Sequence, residues 1–228
     1  MAAKAGTVDG IFSAEALAAQ VESGHVRVRA HPTEPLVIAN YTSRAAIDGV
    51  WDPVTLSCRG LIWNPQTGAI AARPFAKFFD LHETSDRVPD SPPLAHEKLD
   101  GSLGILYRTS AASAASAAGA GWAVATRGSF DSEQAEWATA HLRRRYPGLD
   151  VPEGVTPLVE IVYPANRIVV DHGHEDLVLL GAIDHTTGAD VPLWEVDWWP
   201  GPVAAQHVVG SAHDGYLLAT SDALGGRG

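Results

Sequence analysis

Lys98 is the residue of this chain best placed to act as a nucleophile. Only three of its 16 basic residues are lysines, Lys4, Lys77 and Lys98, and Lys98 closely precedes Asp100-Gly101. Lysine can lose its proton and attack, whereas arginine keeps its charge. Gly101 would let a ligand approach the backbone closely. Asp-Gly also favours turns, so a polar turn before a strand is the competing interpretation.

A second group of cations and aromatic rings precedes Lys98. Arg59, Arg73 and Lys77 could bind phosphates, because guanidinium and ammonium groups donate to anionic oxygens. Three phenylalanines stand within 75–79. One of them could offer a ring face to a base, and we expect at least two to pack in the core.

Two further candidates follow Lys98. Arg127-Gly128-Ser129 lies just before a predicted helix, where the helix N-terminus favours anions. Glu160 stands inside an apolar strand pattern. A buried carboxylate is costly unless it is paired or coordinates something, so Glu160 is predicted to belong to a site.

Composition limits the class of protein. A length of 228 residues fits one domain, with no apolar run long enough for a membrane span and no apolar leader at the N-terminus. A cytoplasmic protein is the simplest expectation. The net charge of -11 argues against a broad nucleic-acid-coating surface but allows a local basic cleft. Cys58 is the only cysteine, which excludes an intramolecular disulfide and a cysteine-based zinc site.

The hydrophobic pattern predicts more strands than helices. Ser13 can cap a helix over Ala14–Glu22, and Asp131 with Gln134 resembles a capping box for a helix ending near Tyr146. Strands are predicted at 26–30, 36–40, 60–63, 69–72, 103–107, 122–126, 158–163, 167–171, 177–183 and 215–219. Many are joined by hairpin-length loops, which indicates an α+β fold with antiparallel sheets.

The order of the motifs resembles the RNA ligase family typified by the bacteriophage T4 RNA ligase that seals tRNA breaks. The resemblance extends from Ser57 to Ala219. It rests on five motifs in the family's order: Arg59-Gly60, Arg73–Phe79, Lys98–Ser102, Arg127–Ser129 and Glu160–Val169.

The resemblance implies a single nucleotidyltransferase (adenylyltransferase) domain over 1–228. Its parts would be an N-terminal helix and strand region (1–56), a core bearing the motifs (57–219) and a frayed tail (220–228). It also implies an enzyme that uses ATP and Mg²⁺. Lys98 would form lysyl-AMP, AMP would pass to an RNA 5′-phosphate, and a 3′-hydroxyl would displace it, with tRNA as one candidate substrate.

The family's functional positions map onto individual residues of this chain. Lys98 would be the nucleophile, and Gly101 would admit the nucleotide. Glu160 would contact the ribose or the metal. Asp214 would be a second carboxylate at the metal. The remaining nucleotide contacts would be Arg59 and Lys77 on phosphates or ribose, Phe79 on adenine, and Arg127 at a position that is often lysine in the family.

Two departures from the family leave alternatives open. Asp214-Gly215 stands where the family usually has Glu-Gly, and the family's following pair of lysines has no counterpart here. The family's C-terminal specificity domain is also absent from this sequence. A non-catalytic ATP- or RNA-binding protein, and an enzyme with another acceptor such as DNA ends or a capped guanylate, are the competing hypotheses.

Three weaker signals accompany these motifs. Arg143-Arg144-Arg145 could complement the C-terminal dipole of a helix or contact RNA. His172, His174 and His185 suggest a metal site only weakly, and exposed or turn positions are the expectation for them. Trp198-Trp199 is expected to pack against a sheet rather than stack on bases.

Overall fold

The computed structural model describes residues 6–80, 83, 94–109, 121–164, 175–208 and 216–219. Its helices are α1 (Ala14–Glu22), α2 (Ser43–Asp48), α3 (Pro53–Ser57) and α4 (Glu133–Arg145), with 3₁₀ turns at Val8–Gly10 and Leu193–Glu195. Its strands are β1 (Val26–Ala30), β2 (Val37–Tyr41), β3 (Arg59–Trp63), β4 (Ile70–Ala72), β5 (Leu94–Glu97), β6 (Ser102–Arg108), β7 (Trp122–Thr126), β8 (Val155–Val162), β9 (Asp176–Asp184), β10 (Asp190–Val191), β11 (Gln206–Val208) and β12 (Tyr216–Ala219).

The strands form three antiparallel sheets. The first has the order β1-β2-β3-β4, the second β10-β9-β8-β6-β7, and the third β11-β5-β12. Every pairing between these strands is antiparallel. The predicted α+β class with antiparallel sheets is therefore confirmed.

The first two sheets pack face to face. Ile38 and Ile62 of the first sheet meet Ile105, Ala125 and Leu158 of the second in one buried cluster. Because side chains alternate across a strand, the opposite face of each sheet also needs a cover. Helices α1 and α3 supply it for the first sheet, and α4 supplies it for the second. The central strands are thus apolar on both faces.

Helix α1 has the predicted bounds, whereas α4 begins one residue later than predicted. Ser132, not Asp131, is its N-cap, because the Ser132 Oγ accepts the backbone N–H of Ala135 at 3.2 Å. The Asp131 carboxylate instead accepts the hydroxyl of Ser129 at 2.6 Å. The Trp198-Trp199 expectation holds: Trp199 is buried in the cluster under α4, and Trp198 packs against it.

Two short helices between β2 and β3 were not predicted. Helix α2 is capped by Thr42 and ends at Gly49, and α3 begins at a capping box formed by Asp52 and Thr55. Both are too short to show helical periodicity, so only their caps mark them. Together they carry the chain from the end of β2 to Arg59.

Strand β5 was also missed, because it directly follows a proline-rich stretch of sequence (88–94), in which a strand is not expected. It pairs with β11 on one side and β12 on the other. Its last residue, Glu97, places Lys98 directly after a strand held on both edges. The predicted strand over 167–171 lies outside the described residues.

No helix in the described ranges could cross a bilayer. The longest, α4, has 13 residues, whereas a transmembrane helix needs about 20.

The N-cap assignment of α4 predicts a stability difference. Ser132→Ala should lower the free energy of unfolding by about 1 kcal/mol, because it leaves the Ala135 N–H without its acceptor. Asp131→Ala, the control, should cost clearly less. Urea denaturation measures both, and an equal or larger cost for Asp131→Ala would contradict the assignment.

Candidate active site

Lys98 and Glu160 meet where the third sheet passes into the second. Strand β5 ends just before Lys98, and β6 begins after Gly101. Strand β8 places Glu160 opposite Leu103 of β6. The exposed Lys98 ammonium interacts electrostatically with the Glu160 carboxylate. The nucleophile candidate therefore has a carboxylate beside it.

Gly101 is required by close contact with β8. A Cβ at this position would lie 2.5 Å from the carbonyl oxygen of Ile161 and 3.2 Å from the Glu160 Oε1. The backbone N–H of Gly101 donates to the Glu160 carboxylate. A larger residue would push the Lys98–Gly101 segment away from Glu160.

The pKa of Glu160 is raised from its ordinary 4.5 to about 7. Burial is the main cause, because it disfavours the charged form, and Asp100 acts in the same direction. Lys98, the Gly101 N–H and Arg59 oppose the rise. The ionised and protonated carboxyl are consequently both populated near neutral pH.

Arg59 is the first residue of β3. Its guanidinium is largely buried and interacts electrostatically with the Glu160 carboxylate. Burial lowers the pKa of Arg59, and the nearby Arg127 lowers it further, while Tyr41 and Glu160 raise it. Its guanidinium carbon lies 4.7 Å from the centre of the Phe78 ring. Its Nη1 is buried and has no hydrogen-bond partner among the residues that the structure describes.

Arg127 follows β7 and approaches Arg59 from the second sheet. Its guanidinium carbon lies 5.3 Å from the centre of the Tyr41 ring, and its Nη1 lies 3.5 Å from the Tyr41 hydroxyl. Gly60 allows this approach: it has φ 106°, and a Cβ there would lie 3.3 Å from the Cα of Arg127 and collide with Ile105. Two like charges held this close favour an anion between or beside them.

Lys77 and Phe79 extend the site on the side of α3. The Lys77 Nζ lies 4.2 Å from the centre of the Phe79 ring and 5.3 Å from that of Trp51, and it donates to the carbonyl of Phe78. The Trp51 ring contacts Phe79 and Tyr41 edge-on, at centroid distances of 5.5 and 5.3 Å. A continuous aromatic surface thus connects Lys77 to Arg127.

The structure therefore gathers seven of the eight predicted site residues around one region: Arg59, Lys77, Phe79, Lys98, Gly101, Arg127 and Glu160. The eighth, Asp214, lies outside the described residues.

Three residues of this region were not predicted: Asn40, Tyr41 and Trp51. Asn40 pairs with Arg59 in the β2–β3 register, and its Oδ1 is buried without a hydrogen-bond partner in the described part of the chain. The motifs began at Ser57, so nothing in them pointed to the end of β2. The one sequence signal for this part of the site was Trp51, which stands directly before the Asp52 capping box.

One prediction near the site is corrected, and another is met only in part. The Arg73 guanidinium donates to the carbonyls of His185 and Thr186, at 2.8 and 3.2 Å, so its assignment as a phosphate ligand is wrong. Phe75 packs between the two large sheets against Gly181 and is the one of the three rings that joins a described core cluster, whereas at least two were expected to do so. Phe78 lies between Phe75 and Arg59.

The histidines give no support to a metal site. His185 lies in the turn after β9, as expected, but it is buried, and its ring bonds the Thr156 hydroxyl at 2.7 Å. Burial lowers its pKa to about 4. His172 and His174 lie outside the described residues. Within the described ranges, no three His, Cys, Asp or Glu side chains come together as a metal site would require.

A comparison with curated proteins finds one relevant relative. A protein of Thermovibrio ammonificans named "Putative RNA ligase" is 29% identical over 145 residues, which cover 60% of this chain. The match spans 36% of the relative's own length, about a third. No family model matches the chain.

The raised pKa of Glu160 predicts a pH-dependent stability. Since the folded carboxyl ionises near pH 7 and the unfolded one near 4.5, ionisation opposes folding progressively as the pH rises between these values. The unfolding free energy of Glu160→Gln minus that of the wild type should therefore rise by about 2 kcal/mol from pH 5 to pH 8. Urea denaturation at both values measures the gain.

Glu153→Gln, at an exposed position, is the matched control for the amide substitution. A Glu160→Gln difference that stays constant from pH 5 to pH 8 would contradict a carboxyl titrating near neutrality.

Proposed function

We propose that this chain carries the nucleotidyltransferase domain of an ATP-dependent RNA ligase in which Lys98 forms lysyl-AMP. The observation that carries the proposal is the meeting of Lys98, Glu160 and Arg59, which come from three distant segments. Each lies in a stretch of sequence that resembles a motif of the T4-type RNA ligase family. The relative named as an RNA ligase supports the same class of enzyme.

The site offers groups suited to a nucleoside triphosphate. Arg59, Arg127 and Lys77 are the cations proposed for its phosphates, and Phe79 beside Trp51 is the surface proposed for adenine. Arg59 and Asn40 each keep a buried polar atom without a partner in the described residues. A polar ligand would remove that cost, which is about 1–3 kcal/mol per atom.

The proposed first step is nucleotidyl transfer to Lys98. The lone pair of the deprotonated Nζ attacks the α-phosphorus, the bond from that phosphorus to the bridging oxygen breaks, and pyrophosphate leaves. Arg59 and Arg127 would stabilise the negative charge that develops on the phosphoryl oxygens. The Glu160 carboxylate accepts a hydrogen bond from the Gly101 N–H and interacts electrostatically with the Lys98 amine.

Mg²⁺, when bound, would neutralise phosphate charge, as is general for phosphoryl and nucleotidyl transfer. Glu160 and Asp214 are its proposed carboxylate ligands. The two later steps transfer AMP to an RNA 5′-phosphate and then release it as a 3′-hydroxyl forms the phosphodiester bond.

Incubation with ATP and Mg²⁺ should produce an adduct of AMP mass on Lys98, located by peptide mass spectrometry. Lys98→Arg should give none, since arginine keeps the charge but not the nucleophile. Lys4→Arg is the matched control and should label as the wild type does. If the wild type forms no adduct, or carries it on Lys77, the proposed role of Lys98 is wrong.

The acceptor is tested with adenylylated protein freed from ATP. AMP should pass to a 5′-phosphorylated RNA strand more than tenfold faster than to a DNA strand of the same sequence. Gel electrophoresis of the adenylylated strands measures both rates. Equal transfer to DNA, or transfer to DNA alone, would favour the other acceptor class.

A further inference from the structure

A cluster of arginines lies at the opposite end of β6 from Lys98. Arg108 ends β6, and Arg143, Arg144 and Arg145 form the last turn of α4. We call these four residues the arginine surface. Four of the 16 basic residues of a chain with net charge -11 are thus concentrated outside the nucleotide site. Helix-dipole compensation accounts for cations on α4 but not for Arg108.

A cavity of about 70 Å³ lies within this surface, and its walls include Arg108, Trp122, Arg143 and Tyr146. One water molecule needs roughly 10–15 Å³ on a comparable measure, so the cavity has room for a larger polar group.

Both arginines of the cavity are held in place by single hydrogen bonds. Arg108 stacks on the Trp122 ring at 4.5 Å, and its Nη2 donates to the Val151 carbonyl at 3.0 Å. The Arg143 Nε donates to the Trp122 carbonyl at 3.2 Å. Since a guanidinium has five N–H donors, most of their donors remain for a ligand.

Neighbouring acidic groups do not neutralise the cavity. Asp150 lies 3.9 Å from Arg108, but its side chain is almost fully exposed, and such pairs are weak. Asp176 already accepts from the Tyr146 hydroxyl at 2.6 Å and from the backbone N–H of Leu177 at 2.8 Å, and its carboxylate also lies 3.2 Å from His141 Nε2.

The indole of Trp122 supplies an independent indication of a ligand. Its Nε1 is buried and finds no acceptor among the described residues. Buried donors are usually satisfied, so an acceptor is expected from a group outside the described residues. Surrounded by guanidinium groups, that acceptor would be anionic.

We infer that the arginine surface binds the phosphodiester backbone of the RNA substrate, an inference that rests on the proposed function. Strand β6 fixes the distance between the arginine surface and the Lys98 end of the strand. Its six residue steps from Ser102 to Arg108 span about 20 Å. At about 3.4 Å per nucleotide of a helical strand, the contact falls about six nucleotides from Lys98.

The inference predicts a dependence on RNA length. Arg108→Ala/Arg143→Ala should bind a 5′-phosphorylated 12-nucleotide RNA at least tenfold more weakly than the wild type in fluorescence anisotropy without ATP. The slope of log affinity against log salt should become less steep by about 1.4, since each lost single-strand contact contributes about 0.7. A trinucleotide should lose clearly less affinity, because it is too short to contact both sites at once and gains nothing from bridging them.

Arg27→Ala/Arg29→Ala, on the exposed positions of β1, is the matched charge control and should bind both RNAs as the wild type does. Arg108→Lys/Arg143→Lys keeps the charge and should retain most of the affinity, whereas Arg108→Gln/Arg143→Gln removes the charge with a smaller loss of packing and should lose it, so this pair tests the surface even if the alanine variant does not fold. Wild-type affinity of the alanine variant for the 12-nucleotide RNA, or an equal loss for both lengths, would overturn the inference.

Labelling of Lys98 by ATP needs no RNA and therefore tests the proposed function separately. If the wild type labels while the arginine variants bind RNA normally, only the RNA-binding inference fails. If the wild type does not label, the proposed function fails whatever the RNA measurements show.

Discussion

The burial of the Glu160 carboxylate is the constraint on which the candidate site depends. A carboxylate largely removed from water must be compensated, and the compensation here comes from Lys98, Arg59 and the backbone N–H of Gly101. Those three groups stand on two segments that are distant in sequence, the Lys98–Gly101 connection and the start of β3. Satisfying one acidic side chain therefore brings the nucleophile candidate and the cation proposed to bind phosphate to the same place. Lys98 keeps its exposed position while its partner, Glu160, is partly buried.

The packing of the two large sheets supplies the rest of the arrangement. Their apolar faces bury Ile62 against Ile105, which fixes how the start of β3 meets the end of β7. Arg59 and Arg127 stand at those ends and are held near each other despite their like charges. The energy that keeps them together comes from the hydrophobic core between the sheets rather than from any attraction within the site.

Local pattern predicted the parts of the chain in which a residue's neighbours in sequence decide its structure. Helix α1, with its Ser13 cap, and the hairpin of β6 and β7 are of this kind. The motifs likewise pointed to Lys98 and Glu160. Arg73 was misassigned because a guanidinium is chemically suited to phosphate wherever it lies. Its partners, the carbonyls at the end of β9, are more than a hundred residues away. Tyr41 and Trp51 joined the site only through tertiary packing, which no local pattern carries.

The third sheet has a consequence for how the protein is made. The strand that leads into Lys98 is paired on both edges with strands from the far end of the described chain, β11 and β12. Contacts between segments so distant in sequence form slowly, since a long loop must close before they gain any energy. On a ribosome, the face-to-face sheets can begin to pack while β11 and β12 are still being synthesised. The segment bearing the nucleophile candidate would then acquire its final position last, after the binding surfaces around it have formed.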